Sequence, residues 1–288
     1  MEKLSLAVQR ALGSEPEGPG RLGLVPEASP AEPLTERRHG RIEYTHTPTV
    51  GIAPHVLERH RVTSVNDDTT ADSFKLLRTQ ILMEMRRNGW QTLAVTSPNK
   101  GAGKSTIALN LAISFALEVD YTSLLVDADL RDPDVRQMLE LEPGPGLADC
   151  LTGKAWLDDV LIHPDIGNFV VLPGSAPVAN SSELMRSPMM AEMIRELRNR
   201  YRDRLIVFDV PPVLSGADTL ALSSYMDATI MIVEECRTRR SDMQRSLDLL
   251  RQANLIGVVL NKSRQLAEPD PITRRPTPWW RRLLGIES

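Results

Sequence analysis

The first chemistry that the sequence offers is phosphate binding by a glycine-rich loop. Residues Leu93–Thr106 read LAVTSPNKGAGKST, which is an apolar strand, a short loop and the start of a helix. Gly101 and Gly103 allow backbone N–H groups to turn toward a phosphate chain, and the helix adds the positive end of its dipole. Lys104 can reach the β- and γ-phosphates, and the hydroxyl of Ser105 can ligate magnesium.

Two carboxylates follow the next apolar run. Residues Leu124–Pro133 read LLVDADLRDP, and the strand is expected to end near Asp127. Asp127 and Asp129 would then lie at the carboxyl edge of a sheet, where nucleotide sites of such folds are found. A solvated acidic loop is the alternative; the apolar lead-in, the two Asp residues and the following Arg131 favour a functional site.

Two further strand ends carry polar groups. Residues Leu205–Pro212 read LIVFDVPP, and Asp209 at the end of this run would bind magnesium directly or through water. The run Gly257–Leu260 ends in Asn261, whose amide could pair with the edge of a purine base, although an Asn there is more often a turn residue. Four strand ends thus each present a group suited to part of Mg-ATP.

The elements that must position these groups alternate between strands and helices. The predicted strands are Leu93–Ser97, Ser123–Asp127, Phe169–Leu172, Leu205–Asp209, Thr229–Val233 and Gly257–Leu260. The predicted helices are Thr70–Arg87, Lys104–Leu117, Pro188–Tyr201 and Ser241–Ala253. Apolar strands that alternate with helices predict one doubly wound α/β domain with a mostly parallel sheet.

The two ends of the chain differ from this domain in composition. Residues 1–65 are predicted to hold a short helix, with Leu4, Val8, Ala11 and Leu12 at helical spacing, and then a disordered linker from Gly13 to about Ala53. The domain itself is expected to span residues 66–265. Residues 266–288 are expected to form a flexible tail, whose TPWWRRLLG segment could contact a membrane surface or pack on the domain.

Charge and hydropathy indicate which partners and which compartment to expect. The net charge of −4 gives no reason to expect that the whole domain binds nucleic acid. Neither an apolar run of roughly 20 residues nor a signal peptide is recognisable, so a cytoplasmic protein is expected. Cys150 and Cys236 lie far apart and are interpreted as two ordinary buried thiols.

These motifs resemble the Walker A, A′ and B motifs of bacterial tyrosine kinases, over roughly Asn66 to Ser263. Further similarities to that family are the segment Gly146–Gly153, the Leu172-Pro-Gly174 turn followed by Asn180, and the pair Glu183-Leu184. The helix segment Asp72–Thr79 is similar to the family's oligomerisation motif. The N-terminal helix and linker look most like the cytosolic autokinases that are encoded with exopolysaccharide and exosortase systems.

The resemblance implies a P-loop fold of the deviant-Walker, MinD-like type and transfer of the ATP γ-phosphate to tyrosine. It implies that Asp127, Lys104 and Asp129 are catalytic and that Ser105, Asp127 and Asp209 serve Mg²⁺. With the base contact above, the expected ATP-binding set is Gly101, Ala102, Gly103, Lys104, Ser105, Thr106 and Asn261. It also implies a homo-oligomer, regulation of exopolysaccharide polymerisation or export, and activation by a membrane co-polymerase that determines chain length, which would bring the protein to the inner face of the plasma membrane.

The sequence departs from the family in several places. Pro98 replaces the usual leading glycine of the loop, Lys100 stands where the family often has Pro, and Ala102 where it often has Glu. Asp72 and Lys75 replace the expected Glu and Arg.

The tail also lacks the tyrosine cluster that such kinases phosphorylate on themselves. The four tyrosines are Tyr44, Tyr121, Tyr201 and Tyr225, and Tyr44 in the predicted linker is expected to be the accessible one. A regulatory ATP-binding subunit without kinase activity is therefore an alternative. A partitioning ATPase is another, although its signature lysine would stand at Asn99 and Lys100 is one place away.

Overall fold

The structure is a computed structural model that describes residues 3–7, 47–63, 65, 69–118, 121–200 and 204–263; for residues 3–7 and 69 only the backbone is described. Its sheet has seven strands in the order β1-β7-β6-β2-β5-β3-β4. The strands are β1 Lys3–Ala7, β2 Thr92–Thr96, β3 Thr122–Asp127, β4 Phe169–Leu172, β5 Arg204–Asp209, β6 Ala228–Glu234 and β7 Leu255–Ser263. All neighbouring strands are parallel except β1, which runs antiparallel to β7.

Helices cover both faces of this sheet. They are α1 Pro54–Arg59, α2 Thr69–Asn88, α3 Lys104–Ala116, α4 Val135–Met138, α5 Leu147–Leu151, α6 Leu157–Val160, α7 Ser181–Met185, α8 Pro188–Arg200, α9 Asp218–Ser223 and α10 Arg240–Leu249. The six parallel strands and the four predicted helices occur where the sequence predicts them, so the doubly wound α/β fold is confirmed.

The core explains why the strands are continuous apolar runs. Every residue of β2 to β5 is buried, because both faces of these strands are covered. Successive residues point to opposite faces: Leu93 and Val95 pack with α2 and α3, whereas Ala94 packs with the cluster that contains α8.

The strand order brings the site residues to one edge. β2 lies between β5 and β6, and β3 lies on the far side of β5. The connection from β2 through the P-loop and α3 therefore passes over the position of β5 before it enters β3. Asp127 at the end of β3 stands directly beside Asp209 at the end of β5. A crevice at the carboxyl ends of strands, where the strand order reverses, is the usual ligand site of such sheets.

The structure corrects the prediction for the start of the chain. Lys3–Ala7 forms a strand rather than the first turns of a helix. The sequence KLSLA alternates polar and apolar residues, which suits a strand, and β7 offers an edge with unpaired backbone groups. Val8, Ala11 and Leu12 lie outside the described residues.

The predicted boundary at residue 66 is also corrected. The segment 47–63 already packs on the domain, since Val56 and Val62 are buried and Val50 N–H donates to the His163 carbonyl. Pro54 occupies the first turn of α1, where its missing N–H costs nothing. The predicted linker up to residue 46 and the predicted tail, residues 266–288, lie outside the described residues and stay predictions.

Candidate active site

The P-loop connects β2 to α3 and depends on two glycines with left-handed backbone. Gly101 has φ of 84° and Gly103 has φ of 89°, a region that side chains with a Cβ rarely adopt. Gly103 is also close to its surroundings, because a Cβ there would lie 2.3 Å from Asn261 Nδ2. The loop conformation and the position of β7 therefore both require glycine at residue 103.

The Lys104 ammonium group stands at the centre of the site and is buried. Its Nζ lies 3.0 Å from Asp129 Oδ2, 3.3 Å from Asp209 Oδ1 and 3.2 Å from Ser105 Oγ. Burial lowers the pKa of Lys104, but the attraction of Asp209 and Asp129 outweighs it and raises that pKa above its usual range. The lysine is thus held as a cation at the start of α3.

Asp127 and Asp209 are two carboxylates buried side by side. Asp127 Oδ2 accepts a hydrogen bond from Val135 N at 3.0 Å, while its Oδ1 is buried and receives none from the described residues. Burial, and then repulsion by Asp209, raises the pKa of Asp127 to about 8. Burial also raises the pKa of Asp209, against the attraction of Lys104.

This arrangement fits a divalent cation. Asp127 Oδ1 is a buried acceptor that lacks a donor, and a cation would remove the repulsion between the two carboxylates. Within the described part of the chain no three His, Cys, Asp or Glu side chains are grouped so as to hold a metal unaided. Magnesium is commonly bound by one or two carboxylates together with substrate phosphates, so Ser105, Asp127 and Asp209 suit it.

A cavity of about 380 Å³ opens over the P-loop and Lys104. Of the predicted site residues, those that line it are Gly101, Gly103, Lys104, Ser105, Thr106 and Asp129. Asp127 and Asp209 do not line it; both are fully buried behind Lys104. The predicted site residues therefore come together in two layers, one at the cavity and one beneath it.

Asn261 and Ala102 also lie behind the cavity lining. Asn261 Nδ2 donates to the Ala102 carbonyl at 2.8 Å, and Asn261 Oδ1 accepts from Lys262 N. In this structure Asn261 supports the P-loop; its contact with a purine base stays a prediction. The neighbouring Lys262 lines the cavity, and its Nζ donates to the Gly101 carbonyl at 2.8 Å.

The segments that extend the family resemblance pack beside Asp127. Leu147 N donates to the Pro173 carbonyl at 2.9 Å, and a Cβ at Gly146 would lie 2.4 Å from the Gly174 backbone. A Cβ at Gly174 would lie 3.1 Å from Asp127 Oδ2. The glycines of these two segments therefore allow the backbone to approach the buried carboxylate closely.

Arg131 of the Asp-x-Asp-x-Arg element pairs with a carboxylate that the sequence analysis missed. Its Nε and Nη2 lie 2.9 and 3.1 Å from the two Asp218 oxygens, and the Ser181 and Ser182 hydroxyls donate to the same carboxylate. Burial raises the pKa of Asp218, but these hydrogen bonds outweigh burial and lower it. Asp218 is 87 residues from Arg131, and no local spacing signals the pair.

Three further cavity residues were missed, and they come from the N-terminal segment. Arg59, His60 and Arg61 line the cavity together with the P-loop. The basic stretch Glu58–Arg61, which reads ERHR, could have indicated a phosphate-binding role, but it lies before residue 66, where the domain was predicted to begin.

The charged face of α2 is largely satisfied within the chain. Lys75 Nζ lies 3.0 Å from Asp72, one turn away. Arg78, whose side chain is 16% exposed, pairs with Glu118 and donates to the Ser114 carbonyl.

Among the described residues no helix is long and apolar enough to cross a membrane.

Comparisons with known proteins place this arrangement among P-loop proteins. The sequence model of the ParA family, described as NUBPL iron-transfer P-loop NTPase, matches residues 90–270. Tyrosine-protein kinase YwqD of Bacillus subtilis (strain 168) is 28% identical over 193 residues, which cover 66% of this chain and 80% of YwqD. Tyrosine-protein kinase ptk of Acinetobacter johnsonii is 28% identical over 198 residues, which cover 68% of this chain but 27% of ptk.

Among solved structures, the chimerical protein CapA2B2 resembles this fold with a TM-score of 0.67 and 27% identity. The match covers 76% of this chain and 94% of that protein.

Proposed function

We propose that this chain, which belongs to the ParA family of P-loop NTPases and is similar to bacterial tyrosine kinases such as YwqD, transfers the γ-phosphate of ATP to tyrosine. The observation that carries the proposal is the convergence on Lys104 of Ser105, Asp129 and Asp209, with the unsatisfied carboxylate oxygen of Asp127 beside them. The proposed outcome of the reaction is control of exopolysaccharide polymerisation or export.

ATP would bind with its phosphates on the P-loop. The backbone of Gly101, Ala102 and Gly103 would cradle the phosphate chain at the N-terminus of α3, and Thr106 lines the cavity at the first turn of that helix. Lys104 would exchange its contacts with the carboxylates for contacts with the β- and γ-phosphates. Ser105, Asp127 and Asp209 would hold Mg²⁺, which neutralises charge on the phosphates.

The transfer itself requires positioning and one proton acceptor. The tyrosine oxygen forms a bond to the γ-phosphorus, the bond to the β–γ bridging oxygen breaks, and ADP leaves. The phenolic proton would pass to the Asp127 carboxylate, which is buried behind Lys104 in this structure and becomes reachable once Lys104 moves onto the phosphates. Asp129 holds Lys104 in place before the nucleotide binds.

Tyr44 is the proposed phosphate acceptor within the chain, although it lies outside the described residues. Tyr121 is half-buried and its hydroxyl accepts from Arg86, and Tyr225 packs partly on the core. Tyr201 also lies outside the described residues.

Three properties of the proposed setting follow from the family. A membrane co-polymerase that determines polysaccharide chain length would activate the kinase, and the protein would act in the cytoplasm at the inner face of the membrane. It would form a homo-oligomer, in which one subunit phosphorylates the next. Peripheral contact through the TPWWRRLLG segment is part of the same proposal.

A regulatory ATP-binding subunit without kinase activity is the second candidate. The absence of tyrosine from the sequence after Tyr225 favours it, because the family resemblance implies tyrosines in the tail as acceptors.

Phosphotyrosine mass spectrometry after incubation with Mg-ATP tests the proposal. The comparison is between wild type, Asp127→Asn and, as a matched control, Asp132→Asn, an exposed carboxylate near the same cavity. Label on wild type and on Asp132→Asn that is lost in Asp127→Asn supports the kinase.

Mg-ATP binding without label, also in the presence of the co-polymerase's cytoplasmic segment, would favour the regulatory subunit. Hydrolysis stimulated by DNA or lipid, again without label, would favour a partitioning ATPase.

A further inference from the structure

One wall of the nucleotide cavity is built from residues that the proposed phosphoryl transfer does not use. Arg59, His60 and Arg61, at the end of α1, line the same cavity as Lys104 and Thr106. They precede the P-loop by about 40 residues of sequence, so their presence here is a consequence of how the N-terminal segment packs.

A buried amide on α3 fixes this wall. Asn110 is fully buried, and its Oδ1 accepts from Thr63 N at 2.8 Å. Its Nδ2 donates to the Arg61 carbonyl and to the Thr106 carbonyl, each at 2.9 Å. Asn110 therefore ties the backbone on both sides of Val62 to the helix that begins at the P-loop.

The end of α1 gives Arg61 an unusual conformation. Val62 N donates to the Leu57 carbonyl and Arg61 N to the Glu58 carbonyl, which is the Schellman pattern of a helix C-terminus. Arg61 occupies the left-handed position of this motif with φ of 57°. Glycine is the residue that this position favours, so the arginine side chain is present at a cost in conformational energy.

The chemistry of the guanidinium group shows which ligand this arginine suits. The cavity that Arg61 lines also contains the lysines Lys100, Lys104 and Lys262. A nucleotide brings three or four negative charges into this space, and guanidinium groups bind phosphate through parallel hydrogen bonds.

We propose that Arg61, positioned by Asn110, binds the phosphates of the nucleotide and makes the N-terminal segment part of the nucleotide site. The inference rests on the proposed nucleotide binding and extends it to a residue outside the predicted kinase domain.

The test is a binding titration of the full chain with Mg-ATP, Mg-ADP and adenosine, beside a thermal melt. The variants are Arg61→Gly, Arg61→Lys and the control Arg251→Gly, which removes an exposed arginine that follows α10 and does not line the cavity. Arg61→Gly suits the left-handed backbone, so the variant should remain folded, and the thermal melt checks this beside each titration. Its Kd for Mg-ATP should rise about tenfold, the effect of losing one charged hydrogen-bonding group.

Affinity for adenosine should stay unchanged in Arg61→Gly, and Arg61→Lys should recover part of the affinity for Mg-ATP. Unchanged Mg-ATP affinity in Arg61→Gly would overturn the inference alone. An equal loss for adenosine would overturn the assignment to phosphate. If wild type binds no Mg-ATP, the proposed nucleotide site fails and the inference fails with it.

Discussion

At the residue scale, the site is organised around one buried ammonium group. Lys104 compensates Asp129 and Asp209, which are 3% and 0% exposed, while Asp127 stands beside them and forms no ion pair of its own with the described residues. Removing one partner from a buried charge cluster leaves the others uncompensated, which is costly. The same buried charge cluster therefore contributes both to folding stability and to the proposed binding of Mg-ATP.

Substitution of Lys104 tests this link. Lys104→Met should abolish Mg-ATP binding and also lower the free energy of unfolding by about 3 kcal/mol, because two buried carboxylates lose their cation. Nucleotide titration and urea unfolding measure the two effects. Lys100→Met is the matched control: this lysine of the same loop pairs with Asp132 in solvent, and its loss should change stability by less than about 1 kcal/mol. Equal effects of the two substitutions would contradict the buried-cluster account.

The raised pKa of Asp127 predicts that the free energy of unfolding depends on pH. Its pKa is raised from 3.8 to about 8 on folding, so between these pH values the folded chain holds more protons than the unfolded chain. Its contribution is fully present below about pH 4 and is lost as pH rises through 8. In metal-free, nucleotide-free protein, wild type should lose on the order of 6 kcal/mol over this range, at about 1.4 kcal/mol for each pKa unit, that Asp127→Asn does not lose.

Chemical unfolding of both proteins at pH 5, 7 and 9 measures the difference. Parallel pH profiles would show that the Asp127 carboxyl is not the group that titrates.

At the scale of elements, the segment of residues 47–63 is part of the domain because it packs on α3 and hydrogen-bonds to it. Asn110 satisfies two backbone groups of that segment, and Val56 and Val62 bury their side chains. Together with the hydrogen bond from Val50 N–H to the His163 carbonyl, these contacts hold α1 beside the P-loop.

Asn110→Ala should release this segment while the sheet persists. The substitution leaves Thr63 N–H and the Arg61 carbonyl without their partner, at a cost of about 2 kcal/mol. Hydrogen exchange should show faster exchange in residues 57–63 and unchanged protection in β2 and β5. Asn88→Ala is the control, since that exposed amide bonds only within α2. Uniformly faster exchange would indicate global destabilisation instead.

At the scale of the whole molecule, the strand order and the outer face of α2 have different roles. The strand order collects the P-loop, Asp127 and Asp209 at one edge of the sheet. On α2, Leu76 and Met83 stand two turns apart and are 54% and 67% exposed, while the opposite face is buried. Exposed apolar residues along one stripe of a long helix are a candidate contact between subunits.

The proposed homo-oligomer can be tested at this stripe. The double substitution Leu76→Glu and Met83→Glu should shift the protein toward monomer in sedimentation velocity, because it places carboxylates in an apolar contact. Met189→Glu, on the exposed side of α8, is the control and should leave the oligomer intact. An unchanged assembly of the double variant would exclude this face of α2 as the contact.

The amino-acid sequence by itself indicates much of this arrangement. Local composition marks the six parallel strands, because strands covered on both faces must be apolar throughout, and the Gly101–Ser105 pattern marks the P-loop. Asp127 and Asp209 were recognised because a carboxylate directly after such a strand must lie at the carboxyl edge.

Other features depend on contacts between distant parts of the chain. The pairing of Arg131 with Asp218, the support of Ala102 by Asn261 and the packing of Arg61 beside the P-loop each join residues that no local period relates. Burial of Lys104 and Asp127 is likewise set by the strand order and by the helices above them. Local sequence thus determines the type and spacing of the chemical groups, whereas the charges they carry and the neighbours they meet arise from three-dimensional packing, because desolvation and Coulomb energies depend on distances across the fold.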